Sequence, residues 1–208
     1  GGDAGDTVVD THYTEQQEAF RATLRRFLEE KAGTGFTRQR WDEDEPMTAD
    51  VWQSMTALGV TGLLIPEQAD GIGGTMSDMG VVMEELGRMA HPGPCWSSCI
   101  GASSAAAIFQ LDTLLRTLAG GSQTATLALE EPGGRFTCWQ HAHLAVVDNT
   151  LTGTKIQVPD AIGADHLFVT SANGVYLVAT DAPGLTITPT ECIDGSRRYA
   201  EVRFENVA

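Results

Sequence analysis

The sequence predicts an α+β protein, with an N-terminal all-helical domain followed by a small antiparallel β-barrel or sandwich domain. Up to Gly120 the apolar residues recur at helical spacing, whereas beyond Gly121 the period shortens to two and β-branched residues accumulate. Helices come first and strands second, which argues against a doubly wound sheet, where the two alternate. We therefore expect a helical domain over residues 13–120 and a β-domain over 121–208, after a disordered or tag-like segment over 1–12.

The first helices are predicted from their caps. A capping box that starts at Thr14 opens a helix that ends at Gly33. The charged stretch 36–47 has no regular apolar period, so we expect it to be irregular. Thr48 is the predicted N-cap of a short second helix that stops at Gly59.

Three further helices follow the glycine-rich loop that ends at Thr75. Ser77 is the predicted N-cap of the first of them. The small-residue run 97–107 predicts a closely packed interior helix, and Asp112 or Thr113 opens a last helix. The expected buried face of the Ser77 helix is Met79, Val82, Met83 and Leu86.

Seven strands are predicted after residue 121, from alternating apolar residues separated by Pro and Gly. Their spacing suits a small antiparallel barrel or sandwich. The predicted strands are residues 124–129, 143–147, 151–155, 166–170, 175–180, 185–188 and 199–204.

Composition excludes some classes of partner. With 13 basic and 28 acidic side chains the net charge is −15, which repels phosphate backbones and argues against a nucleic-acid partner. No apolar run approaches the ~20 residues of a membrane span, so we expect no membrane partner. The four cysteines are too few and too unevenly placed for a disulfide scaffold, which predicts reduced thiols in a cytoplasmic protein.

Two glycine-rich segments are candidates for ligand contact. A strand that ends in Glu130–Gly134 leaves backbone N–H groups free of side-chain bulk, where a planar ring or a pyrophosphate can approach; a plain β-turn is the alternative. The loop Leu63–Thr75 precedes a helix, so it either binds an anion at the helix N-terminus or simply connects two helices.

Other polar clusters favour structural roles. Glu84 and Glu85 are adjacent on a helix and point about 100° apart, so they do not converge on one atom, and a solvated face is expected. Cys138 has the opposite strand parity to His141 and His143, so no metal site is predicted. For Asp194, Arg197 and Arg198 a surface ion pair that closes a turn is expected.

Six segments share the pattern of a known family. They are LLIPEQADGIGGT (63–75), MGVVMEELGRMA (79–90), ALEEPGG (128–134), LTGTK (151–155), GADHLFV (163–169) and RRYAEVRFENVA (197–208). Together they resemble the first two domains of acyl-CoA dehydrogenases, flavin enzymes that desaturate acyl thioesters between Cα and Cβ. The resemblance implies FAD as cofactor and an acyl-CoA substrate. It also implies that the family's C-terminal helical domain, which supplies the catalytic Glu, is absent, so no catalytic residue is assigned here.

The resemblance also assigns binding residues. In the family the segment around the Glu-Pro turn and the next strand contact FAD, and the glycine-rich loop shapes the acyl end of the substrate cavity. The implied cofactor-binding residues are Leu129, Glu130, Glu131, Gly133, Gly134, Ile156, Gln157 and Val158. The implied substrate-binding residues are Glu67, Gly73, Gly74 and Arg135.

The chain departs from the family in two of these segments. Glu130 stands where the family has a hydroxyl residue, and Ile156, Gln157 and Val158 replace an aromatic, an aliphatic and a hydroxyl residue. The chain therefore resembles the divergent actinobacterial members of steroid and lipid catabolism, many of which pair unlike subunits. These changes imply that the chain alone binds FAD weakly.

The favoured function is an acyl-CoA dehydrogenase-like flavoprotein subunit or fragment, inactive alone, that forms a homo- or hetero-oligomer with similar subunits. A non-catalytic partner subunit and an acyl-CoA-binding module without redox activity are the two alternatives.

Overall fold

The computed structural model describes residues 12–43, 48–133 and 142–208. Within them the chain forms six α-helices, then seven strands in two small sheets, which confirms the predicted fold class. The predicted segment 1–12 lies outside the described residues except for His12. The helices are α1 (Glu15–Lys31), α2 (Thr34–Asp42), α3 (Ala49–Ala57), α4 (Met76–Arg88), α5 (Ser103–Ile108) and α6 (Asp112–Ala119).

The cap of α1 forms as the sequence predicts. The Thr14 hydroxyl accepts a hydrogen bond from the N–H of Gln17, and the Gln17 side chain accepts one from the N–H of Thr14. These bonds satisfy backbone donors that have no partner within the helix. Leu24 and Leu28 are then buried against α3 and α4 in the core of the helical part.

Two predictions about the helices are wrong. The stretch 36–47 was expected to be irregular, but α2 occupies residues 34–42, because Phe36 stacks on His91 and Arg40 is buried. Such tertiary contacts override a weak local pattern. The N-cap of α4 is Thr75 rather than Ser77, since the Thr75 hydroxyl and the Asp78 carboxylate form a capping box.

The small-residue run is buried as predicted, but it begins as a π-helical segment. This segment spans Cys95–Ala102 and continues directly into α5. Helices α5 and α6 then cover one face of the smaller sheet, where Phe168 packs in a core that joins helices and strands.

The strands form a three-stranded sheet in the order β1-β4-β5 and a four-stranded sheet in the order β2-β3-β7-β6. Each predicted strand is present: β1 (Ala125–Ala128), β2 (Ala145–Val147), β3 (Thr150–Pro159), β4 (His166–Ser171), β5 (Gly174–Ala179), β6 (Leu185–Thr190) and β7 (Tyr199–Val207). The expectation of antiparallel pairing fails at one place, because β1 pairs with β4 in parallel. An isolated bridge between Glu130 and Ile156 links the two sheets.

Among the described residues, no helix combines the length and the apolar character that crossing a bilayer requires.

Candidate functional site

A cleft of about 460 Å³ lies between the π-helical segment 95–102 and the ends of β1 and β3. Its lining is mainly apolar, with a few polar groups, which is the usual composition of a small-molecule site. The apolar lining residues include Trp96, Leu127, Leu129 and Pro159, and the polar ones are Ser97, Thr126, Glu130, Gln157 and Tyr199.

Both walls of the cleft have uncommon backbone conformations. One wall is the π-helical segment, and π-helical turns are rare and frequent at functional sites. The opposite wall is β3, which has an irregular register between Lys155 and Val158. Gln157 in this strand and Asp160 directly after it adopt positive φ angles of 52° and 50°, a conformation that costs energy for residues other than glycine. Local strain on two facing walls supports a functional role for the space between them.

A buried lysine holds the turn that follows β1. The Lys155 side chain is 0% exposed, and its ammonium donates to the Leu129 carbonyl at 3.0 Å and to the Thr170 hydroxyl at 2.9 Å. It also donates to Glu131 Oε1 at 2.7 Å. A buried cation needs such a complete set of partners, so Lys155 fixes where the chain leaves β1.

Glu131 is held from two sides. Its carboxylate accepts the N–H groups of His143 and Leu144 at 2.9 and 3.0 Å, in addition to the Lys155 ammonium. Burial raises the pKa of Glu131, but the hydrogen bonds from Lys155 and the two N–H groups outweigh it and lower the pKa overall. The carboxylate is therefore ionised and fully engaged, and it is a poor candidate for a catalytic base.

The structure brings together three of the residues assigned to the cofactor. Leu129, Glu130 and Gln157 line the same cleft, although Gln157 is 27 residues farther along the chain. Ile156 supports this arrangement, because its N–H donates to the Glu130 carbonyl at 2.9 Å.

The remaining assigned cofactor residues lie elsewhere. Val158 is 1% exposed and packs in the core of the β-part. Gly133 has a φ of +74°, and among the described residues no atom other than those of its chain neighbours lies within 4 Å of the position that a Cβ would occupy. Gly134 and the assigned substrate residue Arg135 lie outside the described residues. The cofactor assignment stays a prediction.

The glycine-rich loop folds back on itself, away from the lining of the cleft. The N–H groups of Gly73 and Gly74 donate to the carbonyls of Ile65 and Leu63, both at 2.8 Å. A Cβ at Gly74 would lie 2.9 Å from Leu63, so this contact requires glycine. Glu67 belongs to a short 3₁₀ turn in the same loop. The substrate assignment of Glu67, Gly73 and Gly74 stays a prediction.

The donors and acceptors in the cleft fit part of a flavin. Its ring system is planar and apolar, with N–H and carbonyl groups along one edge. Glu130 supplies a carboxylate acceptor, Gln157 an amide that both donates and accepts, and Trp96 and Leu129 apolar surface. The residues present therefore suit the ring, although the hydroxyl donor that the family resemblance implies is replaced by an acceptor at Glu130.

The expectation of a solvated face at Glu84 and Glu85 is wrong for Glu85. Its side chain is 2% exposed and receives hydrogen bonds from Arg25 at 2.6 Å and from Arg88 at 3.1 Å. The bond from Arg25 lowers the pKa of Glu85, burial raises it, and Arg88 adds to the lowering. Glu84 is exposed and pairs with Arg21. The two carboxylates thus hold α1 against α4 and do not line the cleft.

Sequence reasoning missed several residues of the cleft. Trp96 and Ser97 follow the helix-breaking segment Pro92–Pro94, a signal that an irregular turn begins there. Ser97 Oγ donates to Asp160 Oδ2 at 2.5 Å and so ties the two walls together. Tyr199, at the start of β7, closes one side.

The predicted ion pair near β7 takes a different form. Asp194 accepts hydrogen bonds from the N–H and hydroxyl groups of Ser196, at 2.9 and 2.7 Å, and its carbonyl accepts from the N–H of Arg197. Arg198 donates instead to the Arg40 carbonyl at 3.0 Å, which links the β-part to α2.

The sequence predicts reduced thiols and no metal site. Within residues 12–43, 48–133 and 142–208, no group of three His, Cys, Asp or Glu side chains is arranged to hold a metal ion. Cys138 and His141 lie outside these ranges. Cys95, Cys99 and Cys192 are free thiols.

Comparison with known proteins matches this chain to acyl-CoA dehydrogenases, both by a family model and by individual relatives. Residues 14–112 match the family model "Acyl-CoA dehydrogenase, N-terminal domain". Acyl-CoA dehydrogenase FadE28 of Mycobacterium tuberculosis is 30% identical over 152 residues, which cover 71% of this chain and 44% of that protein. The chain thus spans about half the length of its relatives.

Solved structures match over nearly the whole chain. A structure described as the Tcur3481-Tcur3483 steroid ACAD G363A variant has a TM-score of 0.82 and 29% identity, and the match covers 93% of this chain and 55% of that one. A glutaryl-CoA dehydrogenase from Mycobacterium smegmatis in complex with FADH2 has a TM-score of 0.76 at 20% identity, covering 94% and 54%. The second likeness concerns the fold alone.

Proposed function

Because the chain belongs to the acyl-CoA dehydrogenase family, we propose that its cleft binds the acyl part of an acyl-CoA thioester for α,β-desaturation. The observation that carries this proposal is that Trp96 and Leu127 line one mainly apolar cleft together with Leu129, Glu130 and Gln157, the residues assigned to the flavin, so that an acyl chain and the flavin ring would meet there. An apolar slot with few polar groups suits an acyl chain whose reacting carbons lie next to a carbonyl.

The reaction removes a proton from the α-carbon and a hydride from the β-carbon of the thioester. FAD, when bound, would accept the hydride. The residues of this chain would act by positioning: Trp96 and Leu127 exclude water from the acyl chain, and Gln157 supplies an amide for hydrogen bonding. Glu130 places a carboxylate beside the same space.

The base that removes the α-proton would come from outside the described residues. Glu131 is engaged by Lys155 and two N–H groups, and Glu85 by Arg25 and Arg88. Glu130 lines the cleft, but the family resemblance assigns its position to the flavin side, whereas the base must act from the opposite face of the substrate. A general base must have a free lone pair within hydrogen-bond reach of the proton. We therefore propose that the chain contributes one wall of an active site and that another helical segment or subunit contributes the base.

We extend the proposal to the acyl group, the partner subunit and the cellular compartment. The steroid ACAD named above supports a bulky, lipid-derived acyl group and assembly with a similar or unlike subunit. A role as the non-catalytic member of such a pair is favoured by Glu130, whose carboxylate stands where the family resemblance implies a hydroxyl partner of the flavin. The acidic, cysteine-poor composition supports the cytoplasm as the compartment.

Direct binding tests the proposal. Titration of the protein with acyl-CoA thioesters of increasing acyl size, followed by calorimetry, should give saturable binding. Trp96→Ala should weaken it by about tenfold, because the substitution removes an aromatic wall. Trp41→Ala is the matched control, since Trp41 is 46% exposed, close to the 49% of Trp96, and does not line the cleft. Absent binding, or equal losses in both variants, would contradict the proposal.

A further inference from the structure

Strand β5 forms one outer edge of the three-stranded sheet. Among the described residues, β4 pairs with one side of β5 and no strand pairs with the other side. The Thr180 N–H donates to the Asp165 carbonyl at 3.0 Å, and the register of β4 and β5 is unbroken from there to the turn that joins them. The alternation of an antiparallel ladder therefore turns the N–H and C=O groups of Val175 and Leu177 to the outer side. These backbone groups are available to another strand.

The sequence of β5 lacks the features that usually protect an edge strand. Edge strands are commonly kept from pairing by a short length, by Pro or by charged side chains. In the larger sheet the edge strand β6 contains Pro189, and the edge strand β2 has only 3 residues. By contrast, the 6 residues of β5 include neither Pro nor a charged side chain. Nothing in the sequence of this strand opposes pairing.

Apolar side chains extend the same edge. Val175 and Leu177 are each 43% exposed. Leu177 lies opposite Phe168 of β4, and the exposed Phe109 at the end of α5 stacks on Phe168 with the ring centroids 6.4 Å apart. Ile108, next to Phe109 in the chain, is exposed as well. Exposed apolar groups beside an unpaired backbone edge are typical of an interface formed by strand addition.

The distribution of charge favours a second copy of this chain in antiparallel orientation. Each copy has a net charge of −15, so contact between copies is most favourable where acidic groups are kept apart. The hairpin of β4 and β5 contains no acidic residue, and Asp165 and Asp181 flank it at one end only. In an antiparallel pair these ends of the two copies point away from each other, whereas parallel strands would bring them side by side. A two-fold axis also makes this edge complementary to itself.

We propose that β5 pairs with β5 of a second copy of this chain, in antiparallel orientation about a two-fold axis beside Tyr176. Val175 of each copy then exchanges N–H···O=C bonds with Leu177 of the other, and the two three-stranded sheets become one continuous sheet. The two Tyr176 residues form a non-hydrogen-bonded pair, in which the Cα atoms are about 4.5 Å apart. No residue of β5 lines the cleft, so this inference is independent of the proposed function.

Disulfide trapping tests the register of this pairing. In a background that carries Cys138→Ser and Cys192→Ser, Tyr176→Cys should give a disulfide-linked dimer in a glutathione redox buffer, because a Cα separation of about 4.5 Å suits a disulfide. Val147→Cys is the matched control, since Val147 is an exposed residue of the edge strand β2. It should stay monomeric under the same conditions. Equal trapping of the two variants would overturn the proposed register.

Sedimentation velocity tests the association itself. The unsubstituted chain should be largely dimeric at about 100 µM and dissociate on dilution to about 1 µM, because one strand and a small apolar patch make an interface of less than standard size. Leu177→Lys, which places a charge on the edge, should weaken the dimer by at least about tenfold, whereas Val147→Lys should leave it unchanged. A chain that stays monomeric at about 100 µM, or a dimer that Leu177→Lys does not weaken, would overturn the proposal.

Hydrogen exchange distinguishes strand pairing from other contacts of the same patch. The N–H groups of Val175 and Leu177 should exchange slowly at the higher concentration and rapidly at the lower one. Those of Tyr176 and Val178, which the ladder turns toward β4, should be protected at both concentrations. Rapid exchange at Val175 and Leu177 in the dimer would assign the association to another surface and overturn the proposal. Any of these negative results would leave the proposed function standing.

Discussion

The Lys155 ammonium lies 2.7 Å from Glu131 Oε1, and neither side chain is exposed by more than 13%. This pair joins the middle of β3 to the turn after β1, the two segments that supply Gln157 and Glu130 to the cleft. The shape of the candidate site therefore depends on an ion pair that is itself outside the cleft.

Lys155→Met should destabilise the protein by about 3 kcal/mol, because removing one partner of a buried pair leaves the other charge uncompensated. The Leu129 carbonyl and the Thr170 hydroxyl would lose a donor as well. Urea unfolding measures the loss. The control is Arg203→Met. Arg203 pairs with Glu205, and because these side chains are 63% and 58% exposed, the substitution should lower the free energy of unfolding by less than about 1 kcal/mol. Equal losses of stability in the two variants would argue against a stabilising role for the Lys155–Glu131 pair.

The adjacent residues Glu84 and Glu85 on α4 should contribute differently to stability. Glu85→Gln should cost about 2–3 kcal/mol, because it leaves Arg25 and Arg88 without a buried anion, whereas the exposed Glu84→Gln should cost less than about 1 kcal/mol. Since the pKa of Glu85 is lowered in the folded state, its contribution is present above the ordinary carboxyl pKa and is lost as the pH falls. Between pH 6 and pH 3 the free energy of unfolding should fall less steeply for Glu85→Gln than for the unsubstituted protein. Identical pH profiles of the two proteins would contradict this prediction.

His91 should make the protein sensitive to mild acid. Burial lowers the pKa of His91 to about 4, and the charge of Arg197 adds to the lowering. The unfolded chain takes up a proton near the ordinary pKa of about 6.5, whereas the folded chain resists protonation. Stability is therefore full above that value and falls by up to about 3 kcal/mol as the pH drops from about 6.5 to about 4.

The matched variants for this prediction are His91→Phe and His143→Gln. His91→Phe should flatten the profile between pH 4 and 6.5 while an aromatic ring still packs on Phe36. His143 is exposed, so His143→Gln should leave the profile unchanged. A slope that persists in His91→Phe would assign the sensitivity to another group.

The start of α4 can be tested by two alanine substitutions. Thr75→Ala should destabilise the protein by about 1 kcal/mol, since the Thr75 hydroxyl accepts the N–H of Asp78 and caps the helix. Ser77→Ala should change stability by less than about 0.5 kcal/mol, because Ser77 is an exposed residue inside the helix. The reverse order of effects in thermal unfolding would place the cap at Ser77, as the sequence alone predicts.

Much of the fold could be predicted because its signals are local. The capping box at Thr14 and the alternation in each strand are written within a few neighbouring residues. Helix α2 was missed because it is stabilised by contacts with His91 and with the loop before β7, which lie about 50 and 150 residues away. The parallel pairing of β1 and β4 was missed because the apolar period of a strand does not encode the direction of its partner.

The candidate site was predictable only in part. Glu130 and Gln157 were found through the family resemblance, and the structure brings them to one cleft. The burial of Glu85 was not predictable from its neighbours, because Arg25 lies 60 residues away on another helix. Trp96 was missed because its segment has the composition of an ordinary packed helix, and composition does not distinguish α-helical from π-helical backbone.

We propose that this chain forms one wall of a desaturating site and requires another polypeptide segment for flavin retention and turnover. The direct measurement is reduction of an artificial electron acceptor by a panel of acyl-CoA esters, including bulky steroid-derived ones. The isolated chain, supplied with FAD, should bind the flavin weakly and show no turnover. Activity should appear when a polypeptide with the remaining half of an acyl-CoA dehydrogenase is added. Tightly bound flavin and turnover by the chain alone, abolished by Glu131→Gln without loss of folding, would contradict the claim and place the base within these residues.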